Sequence, residues 1–146
     1  MKPPPGVQSD SIVIVGCGRL GATLASHLSR SGRRVVVIDR DGAAFSLLEA
    51  GFSGFRVIGD AVEHDVLCEA GLPEAFCLLA VTEKDTLNLM VAQVARTVFA
   101  VPLVIARVYD PIRVATYRDL GIATVSPTSL TAREFLQLVE QHRERP

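Results

Sequence analysis

Three closely spaced glycines lie in the segment Gly16-Cys17-Gly18-Arg19-Leu20-Gly21. At this spacing, the first glycine permits a tight turn, the second lets the backbone approach a pyrophosphate, and the third lets a helix pack closely against the strand. The segment directly follows the apolar residues 12–15 and opens a helical pattern, which is the context that the spacing requires. Because the first amides of a helix have no partner within it, they can bind phosphate. We therefore predict a phosphate-binding loop here.

An acidic residue, Asp39, ends the second apolar run, about 20 positions beyond the loop, where a ribose-binding carboxylate is expected. A carboxylate can accept hydrogen bonds from both hydroxyls of a ribose, and it repels a 2′-phosphate. The neighbouring Arg40 is the one residue that would offset this repulsion. A solvated strand end is the alternative role for Asp39. The glycine loop and Asp39 together predict that the chain binds an adenine nucleotide, with NAD(H), ATP or ADP favoured over NADP.

Composition excludes several classes of protein. The 146 residues have a formal net charge of −1, so the basic excess typical of a nucleic-acid-binding protein is missing. The apolar runs are too short to span a membrane, and the first residues lack the apolar stretch of a signal peptide. Three widely spaced cysteines, Cys17, Cys68 and Cys77, match no zinc-binding pattern. We expect a cytoplasmic protein with free thiols and no metal site.

Apolar runs alternate with helical patterns along the whole chain. Such alternation predicts a doubly wound α/β fold of the Rossmann type, with a parallel sheet in a single domain. We expect a loose tail over residues 1–10, a nucleotide-binding domain over 11–127 and a C-terminal helix over 128–146. The predicted strands cover residues 11–15, 35–38, 55–58, 77–81, 103–106 and 122–125. Helices are predicted from the glycine loop, over 42–50, 63–70 and 86–99, from 111, and from 128 or 131 to 143.

The later helices carry more apolar side chains than a small sheet can cover. A capping box at Thr131 and Glu134 suggests one start for the last helix. In that helix Phe135, Leu138 and Val139 have core spacing, with Leu136 beside them. The helix over 86–99 is expected to face the sheet with Leu87, Met90, Val91, Val94, Ala95 and Val98, leaving Leu89, Ala92 and Phe99 outside. Because exposed apolar patches usually mark an interface, we predict at least a homodimer.

Several segments together resemble a known family. They are the glycine loop, residues 37–41, 59–61 and 82–85, Asn88, and residues 106–108. Their order and spacing are similar to those in the N-terminal nucleotide-binding domain of TrkA and KtrA proteins, of the regulator of potassium conductance (RCK) class. The resemblance covers roughly residues 11–129. It implies a cytoplasmic gating subunit of a potassium channel or transporter, not an enzyme. It also implies binding of NAD(H), ATP, ADP or AMP, and assembly into dimers or rings.

The resemblance also assigns site residues. The loop residues Gly16, Cys17, Gly18, Leu20 and Gly21 would surround the phosphates, and Arg19 would reach phosphate or lie in solvent. Asp39 would bind the ribose, with Arg40 beside it. Asp41 would help there or cap a helix. Asp60 and Ala61 would lie beside adenine, although Asp60 could instead cap the next helix. Further ligand contacts are implied for Thr82, Lys84 and Asp85. Alternatively, Thr82 would cap a helix and Lys84 would only be exposed to solvent. No ligand contact follows for Asn88 or Arg107, and Arg107 could pair either with Asp110 or with a neighbouring subunit.

Longer members of the family carry a second lobe beyond the nucleotide domain. Here the sequence ends one helix after the last predicted strand, so it is either part of a longer protein or a single-lobe protein, and regulation through a second lobe stays open. Two other functions remain open: a small NAD-dependent oxidoreductase and an NADH-sensing redox module. The oxidoreductase is disfavoured because no acid–base arrangement is found, and His27, His64 and His142 are better explained as surface or packing residues.

Overall fold

The computed structural model describes residues 9–145, so the predicted tail over 1–10 lies almost entirely outside the described residues. Within them, six strands form one sheet with the order β3-β2-β1-β4-β5-β6, and all pairings are parallel. The strands are β1 (Ser11–Val15), β2 (Arg34–Asp39), β3 (Phe55–Ile58), β4 (Cys77–Ala80), β5 (Leu103–Arg107) and β6 (Ala123–Val125). The strand order reverses between β1 and β4, as in a Rossmann-type sheet, and the predicted fold class is confirmed.

In the part of the chain that the structure describes, five α-helices connect or follow the strands. They are α1 (Arg19–Arg30), α2 (His64–Glu69), α3 (Asp85–Thr97), α4 (Val114–Asp119) and α5 (Pro127–Arg143). Short 3-10 helices lie at Gly42–Leu47, Leu72–Glu74 and Pro111–Arg113. The first of these replaces the longer helix predicted over 42–50. Among residues 9–145, no helix has both the length and the apolar composition needed to cross a membrane.

The sheet separates two apolar clusters, one on each face. Val13 and Val15 belong to one cluster, and Ile12 and Ile14 belong to the other. These side chains alternate because successive residues of a strand point to opposite faces of the sheet. Burial on both faces explains why β1 has an unbroken apolar sequence without polar alternation. Because β1 contributes side chains to both clusters, it is held at the centre of the core. The glycine loop follows β1 directly.

Helices α1 and α3 bury small or polar residues against the sheet. In α1 the buried residues include Gly21, Ala22 and Ala25, whereas the larger Leu20, Leu24 and Leu28 are only partly buried. In α3 the buried residues are Asn88, Val91, Ala92 and Ala95. The predicted stripe was therefore wrong for Ala92, which is buried, and for Met90 and Val98, which are exposed. Counting apolar residues failed because the buried stripe contains a polar member, Asn88.

The last helix, α5, starts earlier than the capping box predicted. Its N-cap is Ser126, whose Oγ accepts a hydrogen bond from the amide of Ser129, and Pro127 occupies the first turn, where proline is tolerated. Thr131 and Glu134 therefore lie within the helix, and the predicted capping box was wrong. None of the residues of α5 is buried. Its large apolar side chains are more than half exposed, namely Leu130, Phe135, Leu136, Leu138 and Val139.

Candidate nucleotide-binding site

A cleft of about 820 Å³ lies at the carboxyl ends of the strands. Ligands of open parallel sheets bind at this edge, where the strand order reverses. All but two of the predicted site residues line the cleft, namely Gly16, Cys17, Gly18, Arg19, Leu20, Asp39, Arg40, Asp60, Ala61, Thr82 and Lys84. The two that do not are Gly21 and Asp85. The folding of the chain thus brings together residues from four strand ends that are distant in sequence.

The three glycines of the loop have different structural roles. Gly16 has a φ of +104°, a backbone conformation that side-chain-bearing residues rarely adopt. A Cβ atom on Gly21 would collide with the carbonyl oxygen of Gly16, so this glycine allows α1 to pack against the loop. A Cβ atom on Gly18 would meet no other atom within 4 Å. Gly18 is therefore not required by packing, and a side chain there would enter the open cleft.

The N-terminus of α1 is oriented for anion binding. Gly18 is the N-cap of this helix, and no side chain accepts a hydrogen bond from the first amides. No acidic residue lies in the first turn. The helix dipole therefore favours an anion at this end, and its amides are available as donors. Arg19 and Lys84 line the same cleft and can add positive charge near a phosphate.

Asp39 joins the glycine loop to the end of β2. Its Oδ2 accepts a hydrogen bond of 2.8 Å from the amide of Cys17, and its Oδ1 accepts one of 2.9 Å from the amide of Asp41. Each carboxylate oxygen has a second lone pair, so both oxygens can accept a further hydrogen bond. The two backbone amides hold the carboxylate in a fixed orientation at the rim of the cleft. This geometry suits the two hydroxyls of a ribose.

The end of β3 brings a second carboxylate to the same side of the cleft. Asp60 Oδ2 lies 3.9 Å from Arg40 Nε, and its Oδ1 accepts a hydrogen bond from the amide of Val62. The alternative that Asp60 caps the next helix was wrong, because α2 begins at His64, beyond this turn. Asp41 does act as a cap: its Oδ1 accepts a hydrogen bond of 2.9 Å from the amide of Ala43. The Arg40–Asp60 pair lines the cleft beside Asp39.

A buried amide, Asn88, organises the end of β4. Its Oδ1 accepts hydrogen bonds from the amide and the hydroxyl of Thr82, at 2.9 and 2.6 Å. Its Nδ2 donates to the carbonyl oxygens of Thr82 and Arg107, at 2.9 and 3.0 Å. Asn88 is fully buried, and these bonds satisfy its polar atoms. Asn88 is one of the positions that carry the family resemblance. In the structure Asn88 positions Thr82 but does not line the cleft itself.

Asp85 lies outside the cleft and fixes the segment that follows β5. Its two carboxylate oxygens accept hydrogen bonds from the amides of Tyr109 and Asp110, at 2.8 and 3.1 Å. The predicted ligand contact of Asp85 therefore has no geometric support in this structure. Thr82 does not cap α3 either, since Lys84 is the N-cap and no side chain caps the helix.

The cleft is also lined by residues that were absent from the predicted site, among them Arg107 and Tyr109. Arg107 is only 9% exposed, and Tyr109 covers its guanidinium group, with 4.8 Å between Cζ and the ring centroid. The predicted pairing of Arg107 with Asp110 was wrong, because Asp110 lies 3.6 Å from Arg113 instead. The sequence did contain a signal for these two residues. An arginine ends β5 and an aromatic residue follows it, and ligand-binding residues cluster at the carboxyl ends of the strands in such sheets.

The loop cysteine does not provide a nucleophile. Cys17 is fully buried, and its burial, together with the negative charge of Asp39, raises the pKa of its thiol, while Arg56 opposes this shift. Burial also raises the pKa of the Cys77 thiol to about 11. Both thiols are therefore protonated at neutral pH and poorly reactive. Within residues 9–145, no group of His, Cys, Asp and Glu side chains could hold a metal ion. The cleft is equipped for binding through amides, carboxylates and cationic side chains.

Residues 12–127 match the sequence profile of the TrkA-N domain. This chain belongs to the TrkA-N family. A relative named Trk system potassium uptake protein TrkA, from Streptomyces coelicolor, is 46% identical over 126 residues, which are 86% of this chain and 56% of that relative. The protein of the same name from Vibrio alginolyticus is 36% identical over 100 residues, 68% of this chain and 22% of its own length. The TrkA-N chain thus spans little more than half of one relative and less than a quarter of the other.

Solved structures with the same fold include the RCK domain of GsuK and the GsuK channel. GsuK bound to ADP has a TM-score of 0.78 and 26% identity, covering 95% of this chain and 36% of that one. The GsuK channel bound to NAD has a TM-score of 0.79 and 25% identity, covering 94% and 24%. The TrkA-N domain of the inner membrane protein ybaL from Escherichia coli has a TM-score of 0.80 at 24% identity, which shows the fold alone; it covers 89% of this chain and 96% of that chain. The resemblance to TrkA and RCK domains is therefore confirmed.

Proposed function

We propose that this chain is a cytoplasmic regulatory unit of a potassium channel or transporter, and that it responds to NAD(H), ATP, ADP or AMP. One observation carries the proposal: a cleft with a glycine loop and the carboxylate of Asp39, which is hydrogen-bonded to that loop, lies in a chain 46% identical to a potassium uptake protein. In this proposal residues 11–127 bind the nucleotide, and residues 128–146 form the interface with a partner copy.

The ligand half of the proposal rests on complementary groups along the cleft. Gly18 and the start of α1 would bind the phosphates, Asp39 the ribose, and Asp60 with Ala61 the adenine. Solved relatives with 25–26% identity are named as bound to NAD or to ADP. A ligand regulates only through a difference in its affinity for two conformations, so different nucleotides can produce different states of the assembly.

The assembly half of the proposal rests on α5. This helix of 17 residues buries none of them against the rest of the chain, although Phe135, Leu138 and Val139 occupy one side of it. Leaving such a stripe in water is unfavourable by roughly 25 cal/mol for every Å² of apolar surface. A second copy of the chain can cover the stripe with the same residues across a two-fold axis. We therefore propose a homodimer, or a ring built from dimers.

Calorimetric titration with AMP, ADP, ATP, NAD⁺ and NADH tests the ligand half directly. We expect saturable binding of at least one of them, and none of comparable strength for guanosine triphosphate. Potassium uptake in cells whose own copy carries Asp39→Ala tests the regulatory half, and uptake should lose its response to nucleotide levels. Wild-type uptake in the mutant cells, or sustained oxidation of NADH with a small carbonyl substrate by pure protein, would contradict the proposal.

A further inference from the structure

Arg107, the last residue of β5, carries a buried charge with no counter-ion among the residues that the structure describes. Its Nη2 donates to the carbonyl oxygens of Val81 and Thr82, at 2.8 and 2.9 Å. Its Nε is buried and has no hydrogen-bond partner, and no described hydrogen bond uses Nη1. Within residues 9–145, Arg107 takes part in no ion pair. A guanidinium group stays protonated, so its burial is costly unless an anion compensates it.

The sheet order places this charge away from the adenosine end of the cleft. Asp39 ends β2 and Asp60 follows β3, both on one side of β1, whereas Arg107 ends β5, beyond β4 on the other side. Neighbouring strands are about 4.8 Å apart, so β5 lies about 10 Å from β1 and about 15 Å from β2. The guanidinium group itself reaches back to the end of β4, where it binds the carbonyl oxygens of Val81 and Thr82. It therefore borders the cleft on the side of the glycine loop opposite Asp39 and Asp60, where a ligand that extends beyond its phosphates would approach it.

That part of the ligand differs in charge among adenine nucleotides. In ATP it is the terminal phosphate, which is negative. In NADH it is an uncharged dihydronicotinamide riboside, and in NAD⁺ it is a positively charged nicotinamide ring. AMP has no group there. Tyr109 shields one side of the guanidinium group from solvent, which strengthens its interaction with a charge in the cleft.

We infer that Arg107 is a specificity-determining residue that sets the charge preference of this cleft. It favours a nucleoside triphosphate and disfavours NAD⁺ relative to NADH. This inference rests on the proposed nucleotide site and adds to it a ranking of ligands. A charge-assisted hydrogen bond to a terminal phosphate should make ATP bind roughly ten- to hundredfold more tightly than it does without Arg107.

Calorimetry on Arg107→Gln and Arg107→Lys tests this ranking with AMP, ATP, NADH and NAD⁺. AMP reports what each substitution does to the adenosine half, so the informative quantities are affinity ratios. In Arg107→Gln the ratio of ATP to AMP affinity should fall at least tenfold, and the preference for NADH over NAD⁺ should shrink. Arg107→Lys keeps the charge and should retain most of the ATP preference.

Equal losses for all four nucleotides in Arg107→Gln would mean that Arg107 only holds the ends of β4 and β5 together, which overturns the inference. The wild-type protein supplies a test that needs no variant to fold: NADH must bind at least threefold more tightly than NAD⁺, and equal affinities overturn the inference. Failure of AMP and ATP to bind wild-type protein at all would instead refute the proposed nucleotide site.

Discussion

The backbone amide of Cys17 lies 2.8 Å from Oδ2 of Asp39, so the glycine loop after β1 is hydrogen-bonded to the carboxylate that ends β2. The contact joins two features that the sequence separates by more than twenty residues. The same carboxylate that would bind a ribose thereby also fixes the loop that would bind the phosphates. Loss of Asp39 is therefore expected to affect both parts of the site.

Asp39→Ala should weaken the binding of AMP or ATP by more than tenfold, about 1.4 kcal/mol, because hydrogen bonds to a charged group contribute roughly 1.5–3 kcal/mol. Calorimetry measures the affinity. Asp65→Ala, on the exposed side of α2, is the matched control and should bind like the wild type. Equal affinities for Asp39→Ala and the control would remove Asp39 from the site.

Gly18→Ala and Gly21→Ala should separate binding from stability. An alanine at 18 meets no atom within 4 Å, so thermal unfolding should be unchanged while nucleotide affinity falls at least tenfold. An alanine at 21 collides with the Gly16 carbonyl, so the free energy of unfolding should fall by about 1–3 kcal/mol. Scanning calorimetry and ligand titration on both variants distinguish the two effects. Identical phenotypes would refute the division of roles.

Asn88→Ala should destabilise the domain by about 2–4 kcal/mol. The substitution leaves the amide of Thr82 and the carbonyl oxygen of Arg107 without their Asn88 partners in a buried region, whereas the Thr82 carbonyl keeps its bond from Arg107. Unsatisfied buried groups cost about 1–3 kcal/mol each. Urea titration measures the change, with Thr86→Ala on the exposed side of α3 as control. A loss no larger than that of the control would show that the network contributes little to stability.

Substituting Phe135 and Leu138 together by glutamate should convert the proposed dimer into a monomer, because two charges would be placed in its apolar interface. Light scattering at tens of micromolar gives the mass. Gln137→Glu is the control, since Gln137 lies about 160° around the helix from Phe135. A monomeric mass for the wild type, with and without nucleotide, would refute the dimer.

Cys77 should make the stability of the domain decrease at alkaline pH. Its folded pKa, raised to about 11, exceeds the ordinary value of 9.0, so between these values the unfolded chain loses a proton that the folded chain keeps. The contribution of the Cys77 thiol to the free energy of unfolding is fully present below pH 9. It is lost as the pH rises through 11, and the total loss is roughly 2–3 kcal/mol. Urea titrations at pH 8 and 10 should show a smaller pH-dependent loss in Cys77→Ala than in the wild type. The matching variant of the exposed Cys68 should behave like the wild type.

The fold and most of the cleft could be predicted from the sequence because their signals are local. The unbroken apolar run of β1 and the glycines after it predicted both the central strand and the loop. The end of β2 was predicted from one acidic residue, Asp39. These signals depend on neighbours in the chain, so no knowledge of distant contacts was needed to interpret them.

The remaining features depend on contacts between distant residues. Asp85 was predicted to bind the ligand, but its partners are amides more than twenty positions away, beyond β5. Asn88 is polar and buried because Thr82 and Arg107 satisfy it, which no periodicity of apolar residues can indicate. Arg107 and Tyr109 face the cleft only because β5 lies beside β4 in the sheet.

The unequal roles of Gly18 and Gly21 have a consequence for how related sequences should diverge. A descendant that abandons its nucleotide but keeps the fold still needs glycine at 21, where the backbone of Gly16 leaves no room, and at 16, where φ is positive. Position 18 would then be free to accept a side chain, because only the ligand excludes one. Substitution at this one position, with the other two glycines retained, would identify relatives that have stopped sensing nucleotides.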